Sequence, residues 1–552
     1  MSTRVFSTYP PEVSSEQLEY LAAYVKNWTI LHGLSVRPNP SVVSEHINPY
    51  NVLATSAPVT LFPSPFPRNS FEHARSLQKL YNELYVSIAS NEAWLEAILK
   101  ELIEVDDFLA ELWKIHLSVK AEGYADEFSL GMFRSDYMLD TSSKPVSLKQ
   151  VEFNTISSSF GGLSSLVTQL HTELLSFPSP DAPLAYPTHP LFAQIRFNDK
   201  SSQKLQSTGL PPPNTATQTL TDSLAAAHYA YGSSKHNPQL PLCILFLVQD
   251  DERNVFDQLA LSTYLSTHHK IPSFRLPTSS ILSQTTVPPI STNASRPLVY
   301  HPPSSPHHQA YEVTVVYFRA LYAPSEYTSP VHWAGRHHLE RSAAIKCPSV
   351  LLHLSGSKKV QQVLTSLPPG PDHLSAFLPH HSRSTLQSLR STFAAQYSMA
   401  SAEGIGLALN PTTAARHVLK PQREGGGNNI YRTNISPFLN SIPKDQYKGY
   451  ILMELIHPPA TAKNVVLRSD GQVVSGDVIS ELGIFGTCLW KKPKAQRVGE
   501  LNSGELIMPE IIHNTEGGYL LRTKAAGNDE GGVAAGFSSL DSLILYEEED
   551  EV

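Results

Sequence analysis

Cysteine is scarce in this chain, with three in 552 residues, Cys243, Cys347 and Cys488. So few and so scattered, they exclude a disulfide framework or a zinc ribbon and point to a reduced, cytoplasmic setting. No uncharged apolar run approaches the ~18 residues of a membrane span, so no membrane partner is expected. The opening Met1-Ser2-Thr3-Arg4-Val5 lacks the apolar stretch of a secretory signal. A cationic excess is also missing: Lys and Arg number 42 against 50 Asp and Glu, a net charge of −8 with the signs mixed along the chain. Proteins that track phosphate backbones usually carry a basic stripe, so nucleic acid is not an expected partner. A small anionic substrate needs only a local basic pocket and stays open. Two motifs are absent as well, the Walker A string G-x-x-x-x-G-K-[ST] and the nucleophile elbow G-x-S-x-G.

What is present reads as a mixed α/β protein. The length suggests two to four units at about 100–200 residues each, and 41% hydrophobic with 17% charged residues is ordinary for a globular chain. The first 125 or so residues read as helical by their apolar spacing. Ser14-Ser15-Glu16-Gln17 is a capping box leading into Leu18, Leu21, Ala22, Val25 and Trp28. Asn69 with Glu72 opens a second helix, and a third runs from about Asn91 towards Gly123. The plain reading of all three is structural packing.

Beyond Gly123, short apolar runs predict strands over Leu242 to Val248, Val313 to Phe318, His417 to Leu419 and Tyr450 to Met453. Alternation with helical stretches gives an α/β body. Two segments rich in Pro, Ser and Thr, about Asn198 to Gln239 and Thr278 to His308, read as looped surface insertions. The Glu547-to-Glu551 tail reads as a solvated acidic end. The sequon Asn293-Ala294-Ser295 reads as chance without a signal. Doublets such as His268-His269 make poor metal sites, because neighbouring side chains on a strand point apart.

The segment richest in chemistry is Lys420-Pro421-Gln422-Arg423-Glu424-Gly425-Gly426-Gly427-Asn428-Asn429. Glycines let backbone N–H groups come close to an anion, and they suit a loop that closes over phosphates. Lys420 and Arg423 would offset phosphate charge and Glu424 would hold magnesium; the plain alternative is a flexible surface turn. In Val151-Glu152-Phe153-Asn154, Glu152 and Asn154 fall on one face of a strand and supply hard oxygen ligands. Ser157-Ser158-Ser159-Phe160-Gly161-Gly162 then forms a donor-rich turn suited to a carboxylate, though an ordinary strand end has the same look. Leu521-Arg522-Thr523-Lys524 precedes a glycine-rich stretch ending in Gly536, which has the composition of a lid. Arg134, Glu252-Arg253-Asn254 with Gln258, and Arg319 with Tyr322 are further candidates, each weak on its own.

Together these segments resemble the eukaryotic glutathione synthetases of the ATP-grasp superfamily. The resemblance runs from about Phe133 to Gly536 outside the insertions. It rests on FRSDYM, EFNTISSSFGGL, ERNVFDQ, SGSKKVQQ, LKPQREGGGNN, YILME, ISELGIFG and LRTK with GGVAAG, in that order. It implies an ATP-grasp fold: a helical N-terminal region and first part of the body over residues 1–239, a smaller α/β substrate domain over 240–356, and an ATP-binding and lid region over 357–552.

The implied reaction joins γ-glutamylcysteine to glycine with ATP, giving glutathione, ADP and phosphate through an acyl phosphate. Magnesium is the implied cofactor, held by Glu152, Asn154 and Glu424, and a homodimer the implied assembly. By the same resemblance Arg522, Lys420 and Glu424 are catalytic. ATP would be bound by Glu152, Lys358, the run Lys420, Pro421, Gln422, Arg423, Glu424, Gly425, Gly426, Gly427, Asn428 and Asn429, then Tyr431, Glu481, Lys524 and Glu530. Met453, Glu454, Leu455 and Ile456 would line the adenine. The peptide would be held by Arg134, Ile156, Ser157, Ser158, Ser159, Glu252, Arg253, Asn254, Gln258, Arg319, Ala320, Leu321, Tyr322 and Arg522. Val533 and Ala534 would sit over the glycine. The chain departs from the family in having Leu321 where Gly is usual before the matching tyrosine, and Glu530 where some relatives have Asp. Two rivals remain at this stage: a same-family ligase using another amine such as β-alanine, and a nucleotide-binding regulatory protein without turnover.

Overall fold

The computed structural model describes residues 8–547 except 143, 177–185, 188, 193–209, 292, 304–308, 367–369, 460–461, 494–505 and 528–537. The lid residues Glu530, Val533 and Ala534, and the acidic tail beyond Glu547, lie outside the described residues.

The first helix, Ser15–His32, has the expected capping box: the Gln17 N–H donates to Ser14 Oγ at 3.2 Å and the Ser14 N–H to Gln17 Oε1 at 3.0 Å. Gly33 ends it at φ +75, a conformation glycine adopts without a Cβ clash. The second helix, Arg68–Ser90, begins one residue before Asn69, directly after Pro67. The predicted third helix is two, Glu92–Ile103 and Asp107–Glu122. Asp106 separates them because its carboxylate caps the second, accepting the Leu109 N–H at 3.1 Å.

The body is a seven-stranded sheet in the order Lys463–Leu467, Val59–Thr60, Ser538–Asp541, Glu510–Ala525, Val473–Lys491, Phe128–Asp140 and Ser147–Asn154. Strand alternation sends its side chains to two cores. Leu482, Ile484, Cys488 and Trp490 pack with Leu77, Leu80, Tyr81 and Leu84 of the Arg68–Ser90 helix. Phe485 and Leu489 pack on the other side with Leu220 and Leu224. Those two leucines belong to the helix Ala216–Tyr231, which corrects the reading of 198–239 as a looped insertion over that stretch alone; 210–215 and 232–239 are irregular, and 198–209 lie outside the described residues. The helix's Ser and Thr content hid a buried stripe of Leu220, Leu224, Ala227 and Tyr231 at helical spacing.

A six-stranded sheet holds Leu242–Val248 between parallel neighbours Ser273–Pro277 and Tyr311–Phe318, with Ile345–Cys347 also parallel to the latter. The supposed insertion at 278–308 is corrected in part too. Within it, Thr285–Thr286 and Leu298–Tyr300 pair antiparallel and extend this sheet past Tyr311–Phe318. A third, four-stranded sheet is antiparallel, in the order Gln396–Ser398, Tyr450–Glu454, His417–Pro421 and Ile430–Tyr431. The four predicted strands are present, three of them a residue or two longer than predicted. All three cysteines are buried and unpaired.

Candidate active site

Strand His417–Pro421 delivers Lys420, and the chain then turns through the triple glycine into Ile430–Tyr431. Gly425, Gly426 and Gly427 have φ of +91, +70 and +78, a run in the left-handed region that side chains with a Cβ enter at a cost. Lys420 is buried and its Nζ donates to the Val151 carbonyl at 3.0 Å, which ties this strand to the edge of the large sheet. Glu152 follows directly on that edge.

Lys358, the first residue of the helix Lys358–Leu364, joins the two carboxylates that the sequence singled out. Its Nζ lies 3.1 Å from Glu152 Oε2 and 3.3 Å from Glu424 Oε1. Burial works against an ionised Glu152, but Lys358, Lys420 and Arg522 outweigh it and hold the carboxyl below its usual range. Glu424 goes the other way: burial, reinforced by the charge of Glu152, raises it despite Lys358. The two carboxylates thus face one cation and differ in how readily each gives up its proton.

Next along the sheet lies a second cluster, centred on Asp136. This carboxylate is fully buried and opposite Glu152 in register. Arg134 Nε donates to Asp136 Oδ1 at 2.6 Å and Arg134 Nη2 to Oδ2 at 2.9 Å. Arg522 Nη2 reaches the same Oδ2 at 2.9 Å and also donates to Glu481, directly across the strand pair. Asn154 Nδ2 donates to Asp136 Oδ2 at 2.9 Å and to the Arg134 carbonyl at 3.2 Å, which leaves its own carbonyl oxygen as acceptor. Burial raises the Glu481 carboxyl against the pull of Arg522. Lys524 lies two residues from Arg522 on the same strand.

The serine turn bridges to Arg319. Arg134 Nη1 donates to the Ser159 carbonyl at 3.3 Å, and Arg319 Nη2 to Ser159 Oγ at 2.9 Å. Ser157 Oγ donates to the Phe318 carbonyl at 3.1 Å and Ser158 Oγ to that of Met132 at 3.3 Å, while Ile156 is buried in the core. Arg319 Nη2 also meets Asp257 Oδ2 at 2.8 Å, and Asp257 accepts the Phe160 and Gly162 N–H groups at 2.9 and 2.8 Å. Arg319 is 4% exposed, yet its Nε and Nη1 have no hydrogen-bond partner among the described residues. Buried guanidinium donors left unmade are costly, so they suit an anionic ligand. Gln258 Nε2 donates to Glu252 Oε2 at 2.6 Å and Gln258 Oε1 accepts from Arg275 Nε at 2.9 Å, while the Asn254 N–H donates to Glu252 Oε1 at 2.7 Å.

Leu321 keeps the left-handed backbone, φ +64, despite its side chain, and is fully buried next to the buried Ala320. Its carbonyl accepts from Tyr327 Oη at 3.1 Å, and Glu326 Oε2 accepts the N–H groups of Tyr322 and Ala323 at 2.8 and 3.0 Å. The turn is held from both sides.

Met453 and Val418 form an apolar patch with Ala394, joined by Tyr431, Leu455 and Ile456; Glu454 beside them is exposed. Asn429 Nδ2 donates to Tyr431 Oη at 3.2 Å and Asn428 Nδ2 to the Gly426 carbonyl at 2.8 Å.

Other candidates are turned elsewhere. Arg423 donates to Asp106 and, at 2.7 Å, to the Gln422 carbonyl, so it anchors the glycine turn to a helix cap. Gln422 accepts the Lys359 N–H at 3.0 Å and donates to the Gly449 carbonyl at 3.3 Å. Arg253 Nε donates to the Arg37 carbonyl at 3.2 Å.

Sequence reasoning missed the carboxylates that orient the arginines: Asp136, Asp257 and Asp106. Only Asp136 left a trace, lying two residues after Arg134 and so on the same strand face. Asp257 and Asp106 act across 62 and 317 residues of chain, which no local pattern reveals.

As to magnesium, no group of three or more His, Cys, Asp or Glu side chains placed to hold a metal occurs among the described residues. Two carboxylates and an amide fall outside that pattern and suit an ion that keeps waters and substrate phosphates as its other ligands. Glu152 and Glu424 already converge on one positive charge, that of Lys358. The donor set therefore fits.

Residues 15–545 match the family model described as eukaryotic glutathione synthase, ATP binding domain. The chain is 34% identical to the glutathione synthetase large chain of Schizosaccharomyces pombe over 551 residues, covering 96% of this chain and 98% of that one. It is 34% identical to the Homo sapiens glutathione synthetase over 531 residues, 96% and 97% of the two chains. The chloroplastic glutathione synthetase of Solanum lycopersicum matches at 34% over 539 residues, 97% and 86%. Among solved structures, an apo glutathione synthetase-like effector from Globodera pallida superposes with a TM-score of 0.67 at 19% identity, covering 97% and 98%. That last likeness speaks for the fold.

Proposed function

The chain belongs to the eukaryotic glutathione synthase family, and from that premise we propose how its residues share the work. It is an ATP-dependent carboxylate–amine ligase, and its reaction is the synthesis of glutathione from γ-glutamylcysteine, glycine and ATP. The γ-phosphoryl group passes to the peptide carboxylate as ADP leaves. The glycine amine then attacks the acyl carbon and expels phosphate. Little covalent work falls to the protein, so catalysis is positioning and charge stabilisation.

The observation that carries this assignment of roles is the buried cationic frame. Lys358 pairs with Glu424 at the head of the triple-glycine turn and Lys420 precedes it on the strand, while Arg134 and Arg319 donate to Ser159 of the serine turn and Arg522 joins Arg134 on Asp136. In our reading Lys358, Lys420, Glu481 and Lys524 bind ATP, with Met453, Leu455, Ile456 and Tyr431 against the adenine. Arg134, Arg319 and Arg522 hold the carboxylates of the peptide, as their forked donors suit. The spare Nε and Nη1 donors of Arg319 support this. Glu152, Asn154 and Glu424 would hold magnesium, which when bound offsets the charge of the ATP phosphates. Gly425 to Gly427, with the lid that includes Val533 and Ala534, would exclude water that otherwise hydrolyses the acyl phosphate.

We divide the chain at 239/240 and 356/357, with the peptide domain between. The six-stranded sheet, from Leu242 to Cys347, falls inside that middle span. A homodimer is carried over from the resemblance, and sedimentation velocity tests it. No helix among the described residues is long and apolar enough to cross a membrane. A cytoplasmic location is our proposal, to be checked by fractionation.

The deciding experiment is coupled ADP release with γ-glutamylcysteine, with and without glycine. Glycine-dependent turnover is expected, with glutathione as the product by mass. ATP binding without turnover would point to the regulatory reading, and equal incorporation of β-alanine to the wider ligase. The names of the relatives favour neither.

A further inference from the structure

A buried lysine between two carboxylates usually serves as their permanent counter-ion, and here both carboxylates are the ones proposed to hold a metal. Lys358 is 3% exposed, and its Nζ lies 3.1 Å from Glu152 Oε2 and 3.3 and 3.4 Å from the two oxygens of Glu424. Glu152 sits on the edge strand Ser147–Asn154, Glu424 leads into the glycine turn, and Lys358 opens a helix from a third part of the chain. Without a cation between them, two carboxylates brought together out of water would repel each other and push the glycine turn off the sheet edge. A divalent ion placed beside that ammonium would be repelled in turn, since like charges at such range interact strongly when poorly hydrated.

We propose that Lys358 is a positioning residue that stands in for the metal. Its ammonium holds Glu152 and Glu424 facing one point in the nucleotide-free enzyme, and it leaves them for the ATP phosphates when the ion arrives with the nucleotide. This rests on the reading of Glu152 and Glu424 as magnesium ligands. The ammonium occupies the point between the carboxylates and repels a free divalent ion placed beside it, so metal enters with ATP. The phosphates provide the new partner for the displaced ammonium, a long unbranched side chain able to swing between two anions.

The test measures Mn2+ binding by the loss of the free-ion EPR signal, on the full chain, with and without β,γ-methylene-ATP. Wild-type protein is expected to bind Mn2+ weakly alone and tightly with the analogue. Lys358→Met, which keeps the length and removes the charge, is expected to bind Mn2+ about tenfold or more tightly than wild type in the absence of nucleotide. A lysine of merely structural importance would have the opposite effect, because loosening the site weakens binding. Equal or weaker nucleotide-free binding by a folded Lys358→Met protein overturns the proposal. Glu152→Gln and Glu424→Gln guard the premise. If neither weakens Mn2+ binding in the presence of the analogue, the metal-ligand reading itself fails, whatever Lys358 does. Should Lys358→Met not fold, a crystal of wild type with Mn2+ and the analogue decides. Nζ away from both carboxylates supports the stand-in, and Nζ still bridging them beside a bound ion overturns it.

Discussion

The ring of Tyr322 lies against Gly425, so close that a Cβ on the glycine would meet ring carbon Cε2 at 3.1 Å. The turn proposed to hold the peptide therefore touches the loop proposed to cover the phosphates. Gly425→Ala adds that contact to the strain of φ +91, whereas Gly427→Ala, at φ +78, meets no atom of the described residues within 4 Å and adds strain alone. A Cβ in the left-handed region costs about 1–2 kcal/mol. Gly425→Ala is expected to lower kcat/KM for ATP about tenfold or more, and Gly427→Ala clearly less. Equal losses in steady-state assays would mean that the contact with Tyr322 has no part in seating the loop.

Asp136 is the shared anchor of Arg134, Arg522 and Asn154. Asp136→Asn keeps the shape and removes the charge, leaving two largely buried guanidiniums short of an anion. Breaking a buried pair from one side costs about 3–5 kcal/mol. The variant is expected to unfold at clearly lower urea concentration and to show a larger rise in KM for γ-glutamylcysteine than for ATP. A variant with unchanged midpoint and unchanged KM values would remove Asp136 from the site.

Leu321 sets two effects against each other. Replacing it with the family's usual Gly relieves a left-handed Leu, worth about 1–2 kcal/mol. It also empties a fully buried side chain, for which truncation to Ala already costs about 2–5 kcal/mol. Burial wins, so Leu321→Gly is expected to be less stable than wild type. A raised denaturation midpoint would show instead that strain is the larger effect.

Asp541 supplies a pH test away from the chemistry. Burial pushes its carboxyl up to about 6 from the ordinary 3.8, even though Ser64 and Thr523 donate to it. The fold therefore favours the protonated form. Its contribution to stability is complete below the unfolded group's 3.8 and is lost as pH rises through about 6. A shift of about two units corresponds to roughly 3 kcal/mol. Asp541→Asn cannot ionise, so the difference in denaturation midpoint between variant and wild type is expected to move in the variant's favour from pH 4 to pH 7. A difference that stays constant over that range would mean that Asp541 titrates normally.

Glu424→Gln is expected to fold and to lose turnover about a hundredfold or more. Since burial already disfavours the ionised carboxyl, neutralising it is not expected to destabilise the protein. Near-normal kcat at saturating ATP and magnesium would remove Glu424 from the catalytic set.

Much of this protein was determined locally and so is legible in its residues. The capping box at Ser14, the apolar run Leu242–Val248 and the triple glycine after Lys420 each specify their own conformation through short-range forces. The motif strings carried the family. Local averaging misled where polar residues concealed a stripe, as in Ala216–Tyr231, and where a cap broke a helical run at Asp106. Only the tertiary structure decided which charges meet. Lys358 reaches Glu424 across 66 residues, Arg522 reaches Asp136 across 386, and Arg423 is drawn to Asp106 across 317. An ion pair in a buried site depends on which elements the packed sheets bring side by side, and sequence spacing carries no information about that.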